Sequence, residues 1–182
     1  IARAALELCG YQEGITLVDG MTGTGTILLE AASWDHENEG PFQYHFWKFL
    51  ESPKHPRKNL KFNFDNKLGI DLKRGNFPEH FPFVQRNFLE FRKPSPEGIL
   101  ILNPPYGDRL MDKDEDAYKK LGFHLKDHYT GFIAGVFAGS KKDLKQIRMK
   151  PEKTYEFIHG GKTAYFSVYH IFKSQDPVGE KS

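Results

Sequence analysis

The sequence predicts an α/β fold with a mostly parallel central sheet and a C-terminal antiparallel hairpin. Three observations favour this class. Short apolar runs rich in β-branched residues alternate with helical segments, as in sheets whose parallel strands are joined by crossovers. A glycine-rich turn at 20–26 separates the first such run from a helix start. Two alternating runs, 154–158 and 162–172, flank His159-Gly160-Gly161, which is a hairpin signal.

Composition predicts one soluble domain in a reducing compartment. The chain has 182 residues, 38% of them hydrophobic, which is enough for a single sizeable core. The net charge of +2 is too small to indicate a nucleic-acid binder by itself. The single cysteine, Cys9, excludes an intramolecular disulfide and fits a cytoplasmic location. No signal peptide or membrane-spanning run is visible. Because Ile1 lies inside a helical pattern, we expect residues 1–182 to be one domain of a longer protein.

The first elements indicate a ligand site. Residues 1–8 have a helical pattern that ends at Gly10, and residues 15–19 form a short β-rich run. The following turn and the helix from Ile27 are typical of the first unit of a nucleotide-binding α/β fold, because glycines let the backbone approach a ligand closely. Leu28 holds the third glycine position of the dinucleotide fingerprint, so that motif is excluded. A plain connecting turn is the other interpretation.

The middle of the chain is less regular. Residues 33–61 are rich in aromatics and proline, and either line a ligand pocket or cap one edge of the sheet. Residues 68–71 predict a second strand that ends in Asp71, a position suited to ribose hydroxyls or to a turn. A third strand is predicted at 83–87. About a dozen residues connect the two strands, too few for an ordinary helical crossover, so we expect an irregular loop there.

The most informative stretch is Ile99–Leu102 followed by Asn103-Pro104-Pro105-Tyr106. The apolar run predicts a buried strand, and the two prolines end it because neither has an N–H to donate. The Asn103 side chain and the Pro104 carbonyl offer hydrogen-bond acceptors, while Tyr106 offers a flat face for stacking. This combination suits a planar group that carries an amine, such as a nucleobase. A proline-rich turn that simply ends a core strand explains the same residues equally well.

The remaining chain completes the pattern. Residues 112–125 predict an amphipathic helix with acidic residues in its first turn. Residues 131–137 predict another buried strand. Residues 141–149 predict a basic helical segment, either a solvated face or a nucleic-acid contact.

Together these motifs resemble a family. Asp19-x-x-x-Gly23-x-Gly25-Thr26, the later Asn-Pro-Pro-Tyr-Gly-Asp-Arg at 103–109 and the terminal hairpin resemble a Rossmann-like class I S-adenosylmethionine-dependent methyltransferase. More narrowly, they resemble the UPF0020 RNA methylases, which often carry an upstream THUMP RNA-binding domain and include bacterial large-subunit ribosomal RNA guanine-N2 methyltransferases. The resemblance covers most of the chain.

The resemblance implies a role for each matching position. S-adenosylmethionine would be the cofactor, and no metal would be required. The partner would be RNA, most specifically ribosomal RNA. The catalytic motif would be Asn103, Pro104, Pro105 and Tyr106, with Tyr106 stacking on the flipped base and Arg109 contacting RNA. The cofactor-binding residues implied are Asp19, Gly20, Met21, Gly23, Gly25, Asp71, Asn87, Phe88 and Asn103.

The sequence departs from the family pattern at Gly20, Thr22 and Asn87, where the family usually has Pro, Cys and Asp. The leading hypothesis is methylation of guanine N2 in RNA. Two alternatives stay open. One is adenine-N6 methylation of RNA or DNA, since the motif accepts either amine. The other is a methyltransferase fold that binds RNA without catalysis.

Overall fold

A single mixed sheet organises the protein. The computed structural model describes residues 1–34, 62–77, 80–104 and 116–172. The strands are β1 (Leu17–Asp19), β2 (Lys67–Asp71), β3 (Phe83–Gln85), β4 (Gly98–Leu102), β5 (Phe132–Ala138), β6 (Lys153–His159) and β7 (Lys162–His170). They lie in the order β3-β2-β1-β4-β5-β7-β6. The first five are parallel, and β7 runs antiparallel to β5 and β6. The predicted α/β class is confirmed.

Helices cover both faces of the sheet. They are α1 (Ala2–Leu8), α2 (Thr26–Ala32), α3 (Ala117–His128) and α4 (Lys141–Gln146), with a 3-10 turn at Phe88–Glu90. Helices α1 and α2 share one apolar cluster with the sheet, and α3 and α4 share the other. Among the described helices, none has the length and apolar character needed to cross a membrane.

Strand β4 is apolar at every position from Ile99 to Leu102, without the alternation of polar and apolar residues that a half-exposed strand has. Its side chains alternate between the two apolar clusters, with Leu100 and Leu102 in one and Ile99 and Ile101 in the other. All four are at most 2% exposed. A strand covered by helices on both faces must be apolar throughout, and each such side chain contributes roughly 1.5–3 kcal/mol by its burial.

The register aligns three strand ends at one edge. Asp19, the last residue of β1, pairs with Gly69 of β2 on one side and with Ile101 of β4 on the other. Asp71 and Asn103 therefore each lie two residues beyond a partner of Asp19. This is the carboxyl edge of the parallel strands, at the point where the strand order reverses, which is where open α/β sheets bind ligands.

Several predicted boundaries need correction. The third strand stops at Gln85 rather than at residue 87, because Asn87 caps the 3-10 turn. Helix α3 begins at Ala117, not at 112, and no acidic residue lies in its first turn. The acidic residue nearest the start, Asp116, is the N-cap and makes no side-chain capping bond.

Other predictions hold or cannot be checked. The connection between β2 and β3 contains no helix in its described part, as expected. Gly10 has a φ of +73° directly after α1, as expected for a glycine that ends a helix. The aromatic segment at 35–61 and the predicted site residues Pro105, Tyr106 and Arg109 lie outside the described residues.

Candidate active site

The glycine-rich turn leaves the sheet at the end of β1. Gly20 lies against the core: a Cβ there would sit 2.5 Å from Leu102 Cδ2 and 2.7 Å from Phe88 Cδ2. Gly23 and Gly25 have φ values of +52° and +79°, in the left-handed region that glycine adopts without strain. Gly25 is the N-cap of α2 and supplies no side-chain cap. The turn therefore presents its backbone, rather than side chains, at the edge of the sheet.

Asp71 holds this turn from the neighbouring strand. The Gly23 N–H donates to Asp71 Oδ2 at 2.9 Å, and the Lys73 N–H donates to Asp71 Oδ1 at 3.2 Å. Both oxygens of the carboxylate accept a bond, and each keeps a free lone pair. Asp71 is half-buried, so part of the residue is exposed at this edge.

Thr22 ties the ends of β1 and β2 together. Its hydroxyl lies 3.0 Å from the Asp19 carbonyl and 3.2 Å from the Ile70 carbonyl. The Thr22 N–H also donates to Ile70 O at 3.1 Å. Gly69 makes room for this side chain, because a Cβ there would lie 2.7 Å from Thr22 Oγ1. Sequence reasoning noted Thr22 only as a departure from the family pattern and missed this role.

Asp19 is a buried carboxyl group without a full set of partners. It is 1% exposed, and its Oδ1 accepts a long bond of 3.4 Å from the Met21 N–H. Its Oδ2 has no hydrogen-bond partner among the described residues. Burial, with a smaller contribution from the nearby Asp71 charge, raises the pKa of Asp19 to about 7. An acid held this way beside an open turn is characteristic of a functional site.

The connection after β2 packs against the glycine turn, a feature that sequence reasoning missed. Phe77 and Phe81 stack with ring centroids 4.3 Å apart and planes 14° apart. A Cβ on Gly25 would lie 2.9 Å from Phe81 Cζ and 3.1 Å from Phe77 Cε1. A Cβ on Gly75 would lie 2.6 Å from the Gly23 carbonyl oxygen. These three contacts, with the Asp71 bond, hold the turn from one side. Its sequence signal is a pair of phenylalanines four residues apart in a loop that also contains Gly75, Pro78 and Pro82.

The two predicted site residues after β3, Asn87 and Phe88, are both engaged in local contacts. Asn87 Oδ1 accepts the Leu89 N–H at 3.0 Å and so caps the 3-10 turn. Phe88 is 3% exposed and packs edge-on against His124, with ring centroids 5.1 Å apart. Its ring packs against Gly20 in the core and does not lie at the open edge of the sheet. Leu72, directly after Asp71, is 64% exposed and is the apolar side chain that sequence reasoning missed there.

At the end of β4, Asn103 is exposed and Pro104 is buried. The structure therefore places an amide side chain at the open edge, level with the site formed by Asp19 and Asp71. Within the described ranges, no group of three or more His, Cys, Asp or Glu side chains is arranged to hold a metal ion.

This fold and edge define a class I methyltransferase domain. Residues 1–164 match the UPF0020 family, an RMKL-like methyltransferase domain, and the chain belongs to that family.

Curated relatives include the ribosomal RNA large subunit methyltransferase K/L of Vibrio campbellii, with 26% identity over 94% of this chain and 29% of the relative. The protein of the same name from Cellvibrio japonicus is 30% identical over 88% of this chain and 26% of the relative. The chain thus spans less than a third of these relatives.

Solved structures share the fold. A methyltransferase designated SMU.472, complexed with S-adenosylhomocysteine (SAH), has a TM-score of 0.70 at 18% identity, covering 96% of this chain and 52% of that one. A protein described as an N6-adenine-specific DNA methylase from Listeria monocytogenes has a TM-score of 0.63 at 20% identity, covering 93% of this chain and 50% of that one.

Proposed function

We propose that the chain binds S-adenosylmethionine at the carboxyl edge of β1 and β2 and transfers its methyl group to a base amine in RNA. The observation that carries the proposal is the convergence of Asp19, the open glycine turn and Asp71 at that edge. The residues fit such a ligand, because Asp19 Oδ2 is a buried acceptor without a described partner. The exposed Gly23 also leaves space, since a Cβ placed there would lie 4.0 Å from the Met21 carbonyl oxygen, with no other described neighbour nearer.

Each side chain has a task in this proposal. Asp19, Met21, Gly23 and Gly25 bind the methionine part, and the ligand's ammonium group supplies the positive charge that favours ionised Asp19. The free lone pairs of Asp71 accept the ribose hydroxyls. Leu72 covers the adenine with apolar surface. Asn87 Oδ1 already accepts the Leu89 N–H. The side-chain amide nitrogen of Asn87 and the second lone pair of Oδ1 contact the edge of the adenine ring.

The chemistry rests on the turn after β4. S-adenosylmethionine supplies an electrophilic methyl group on a positively charged sulfur. The lone pair of an exocyclic base amine is delocalised into the ring, so the amine is a weak nucleophile. The Asn103 side-chain oxygen and the Pro104 carbonyl oxygen accept hydrogen bonds from the two N–H groups of the amine. These bonds orient the amine and localise its lone pair. Tyr106 stacks on the base once it has left its helix, and Arg109 contacts a nearby phosphate.

We propose RNA as the substrate and guanine N2 as the target atom. The relatives named ribosomal RNA large subunit methyltransferase K/L support an RNA substrate. The Asn-Pro-Pro-Tyr turn also suits adenine N6, and the Listeria protein described as an N6-adenine-specific DNA methylase favours that second candidate. The chain spans 29% of the Vibrio relative. On the family resemblance alone, we further propose that the whole protein carries a THUMP-type RNA-binding domain.

Nucleoside analysis tests the activity. The purified chain is incubated with isotopically labelled S-adenosylmethionine and, in parallel, with ribosomal RNA lacking its modifications and with DNA. Digestion and mass spectrometry then identify the methylated nucleoside. N2-methylguanosine from RNA alone is the expected product. N6-methyladenine would establish the second candidate. Cofactor binding without any product would favour the non-catalytic RNA-binding function.

A further inference from the structure

The C-terminal hairpin extends beyond the catalytic edge. Leu102 pairs with Val136, so Pro104 is level with Ala138 at the end of β5. Ala138 in turn pairs with Tyr165 of β7, whereas β7 begins three residues earlier, at Lys162. At 3.3 Å per residue, the hairpin projects about 10 Å past the last pair with β5. It therefore stands beside the edge that carries Asn103.

The described residues at the hairpin tip are exposed. Gly160 and Gly161 turn the chain, and a Cβ at either glycine would meet no atom within 4 Å. Ile158 is 69% exposed, and Lys162 is also exposed. Nothing in the described part of the chain covers the tip.

Basic side chains also lie along α4. This helix packs on the sheet face of Tyr165, and strand alternation puts Ile158 on that face and Lys162 on the opposite one. Lys141, Lys142 and Lys145 are exposed, and the spacing of three and four residues places Lys145 beside the other two on the helix. Lys141 joins the helix to the hairpin, since its Nζ lies 3.5 Å from Glu156 Oε2 and 5.2 Å from the Tyr165 ring. We call Lys141, Lys142, Lys145 and Lys162, with Ile158, the lysine ridge.

Among the described residues, little negative charge offsets this ridge. Glu156 pairs with Lys141. Ser140 caps α4 by accepting the Asp143 N–H at 3.2 Å, and its hydroxyl donates to the Asp143 carboxylate at 2.7 Å. Lys142, Lys145 and Lys162 form no ion pair with any other described residue. Three cations without a described ion pair beside a catalytic edge attract a polyanion.

We propose that the lysine ridge contacts the phosphates of the RNA strand that carries the target base. This inference rests on the proposed function. Lys142, Lys145 and Lys162 neutralise phosphates, and Ile158 packs against a sugar or base face at the hairpin tip. The ridge supplies affinity without sequence preference, because phosphate contacts position a strand and do not read its bases.

A matched pair of triple variants tests the ridge. One carries Lys142→Ala, Lys145→Ala and Lys162→Ala. The control carries Lys126→Ala, Lys150→Ala and Lys153→Ala, which removes the same charge. Lys153 begins β6, six residues or about 20 Å from the tip end of that strand. Fluorescence anisotropy with a labelled single-stranded RNA gives Kd over a range of salt concentrations, and calorimetry gives the affinity for S-adenosylhomocysteine.

The ridge variant should bind RNA at least about tenfold more weakly than wild type. The slope of log K against log salt should become less negative by about 2, since each single-strand phosphate contact contributes about −0.7. In a transfer assay its KM for RNA should rise while kcat is kept. Equal losses in both variants, or wild-type protein that does not bind RNA, would overturn the proposal. A wild-type protein that does not bind S-adenosylhomocysteine would instead contradict the proposed function.

Discussion

Gly23 and Asp71 are 48 residues apart in the chain and are joined by a 2.9 Å bond from the Gly23 N–H to Asp71 Oδ2. The bond fixes the glycine-rich turn to the end of the neighbouring strand. In the proposed function, the same carboxylate also receives the ribose of the cofactor. Asp71 then has two tasks, holding the turn that binds one end of the ligand and binding the middle of the ligand itself.

The pH dependence of stability should report Asp19. Its pKa is raised to about 7 in the folded protein, whereas an unfolded aspartate titrates near 3.9. Between these values the folded state holds the extra proton, so the free energy of unfolding should fall as pH rises from about 4 to about 7. Asp19→Asn removes this contribution, which is about 4 kcal/mol when complete. Urea unfolding of both proteins at pH 4.5 and pH 8 measures it. Identical pH dependence in the two proteins would contradict the prediction.

Gly25→Ala should damage both folding and cofactor binding. The φ of +79° costs an alanine about 1–2 kcal/mol, and its Cβ would also press on Phe81 Cζ at 2.9 Å. Gly10→Ala is the matched control, because its φ is +73° and its Cβ would meet nothing within 4 Å. Thermal unfolding and calorimetry should show a larger stability loss for Gly25→Ala, and loss of S-adenosylmethionine binding in that variant alone. Equal behaviour of the two variants would argue against close packing at Gly25.

Phe77→Ala should weaken cofactor binding through the glycine turn. Removing the half-buried ring leaves Phe81 without its stacking partner and frees Gly25, for a stability cost of about 1–2 kcal/mol. We expect affinity for S-adenosylhomocysteine to fall about tenfold, and Phe77→Tyr to retain it. Phe157→Ala is the control: it removes a half-buried ring in β6 that packs on Phe137 at 5.9 Å. If both alanine variants kept wild-type affinity, the packing would have no positioning role.

Asn103→Ala should abolish methyl transfer while leaving S-adenosylmethionine binding nearly unchanged. The exposed amide lies at the catalytic edge and, in the proposed mechanism, orients the target amine. Loss of such an electrostatic contact costs on the order of 10²–10³ in kcat. Single-turnover transfer with saturating RNA measures the chemical step, and calorimetry confirms that the ligand site is intact. An unaltered transfer rate would exclude Asn103 from the mechanism.

Much of the fold follows from local sequence signals. Strand β4 is predictable because it is buried on both faces and ended by prolines, and the β6–β7 hairpin because its alternation is interrupted by Gly160-Gly161. The predicted start of α3 at residue 112 is wrong, because the prediction places the acidic residues from 112 onward in the first turn, whereas the helix begins at Ala117. Their charges favour a helix N-terminus but do not specify which turn is first.

The site was less predictable than the fold. The sequence predicts Asp19, Asp71 and Asn103 as strand-end residues, because each follows an apolar run. It does not predict that Phe77 and Phe81 pack on Gly25, or that Thr22 bonds to Ile70. These contacts join the glycine turn to residues about 50 positions away in the chain, and no local periodicity encodes that. Pro105, Tyr106 and Arg109 stay predictions.

Calorimetric titration with S-adenosylmethionine tests the central claim most directly, using wild type, Asp71→Ala and Asp65→Ala. Asp65 is an exposed aspartate just before β2, at the opposite edge from Asp71, and controls for the lost charge. Wild type and Asp65→Ala should bind with micromolar affinity. Asp71→Ala should bind about 10–100-fold more weakly, as expected for lost hydrogen bonds to a charged group. A folded wild-type chain that does not bind, or an Asp71→Ala variant that binds as wild type does, would contradict the account.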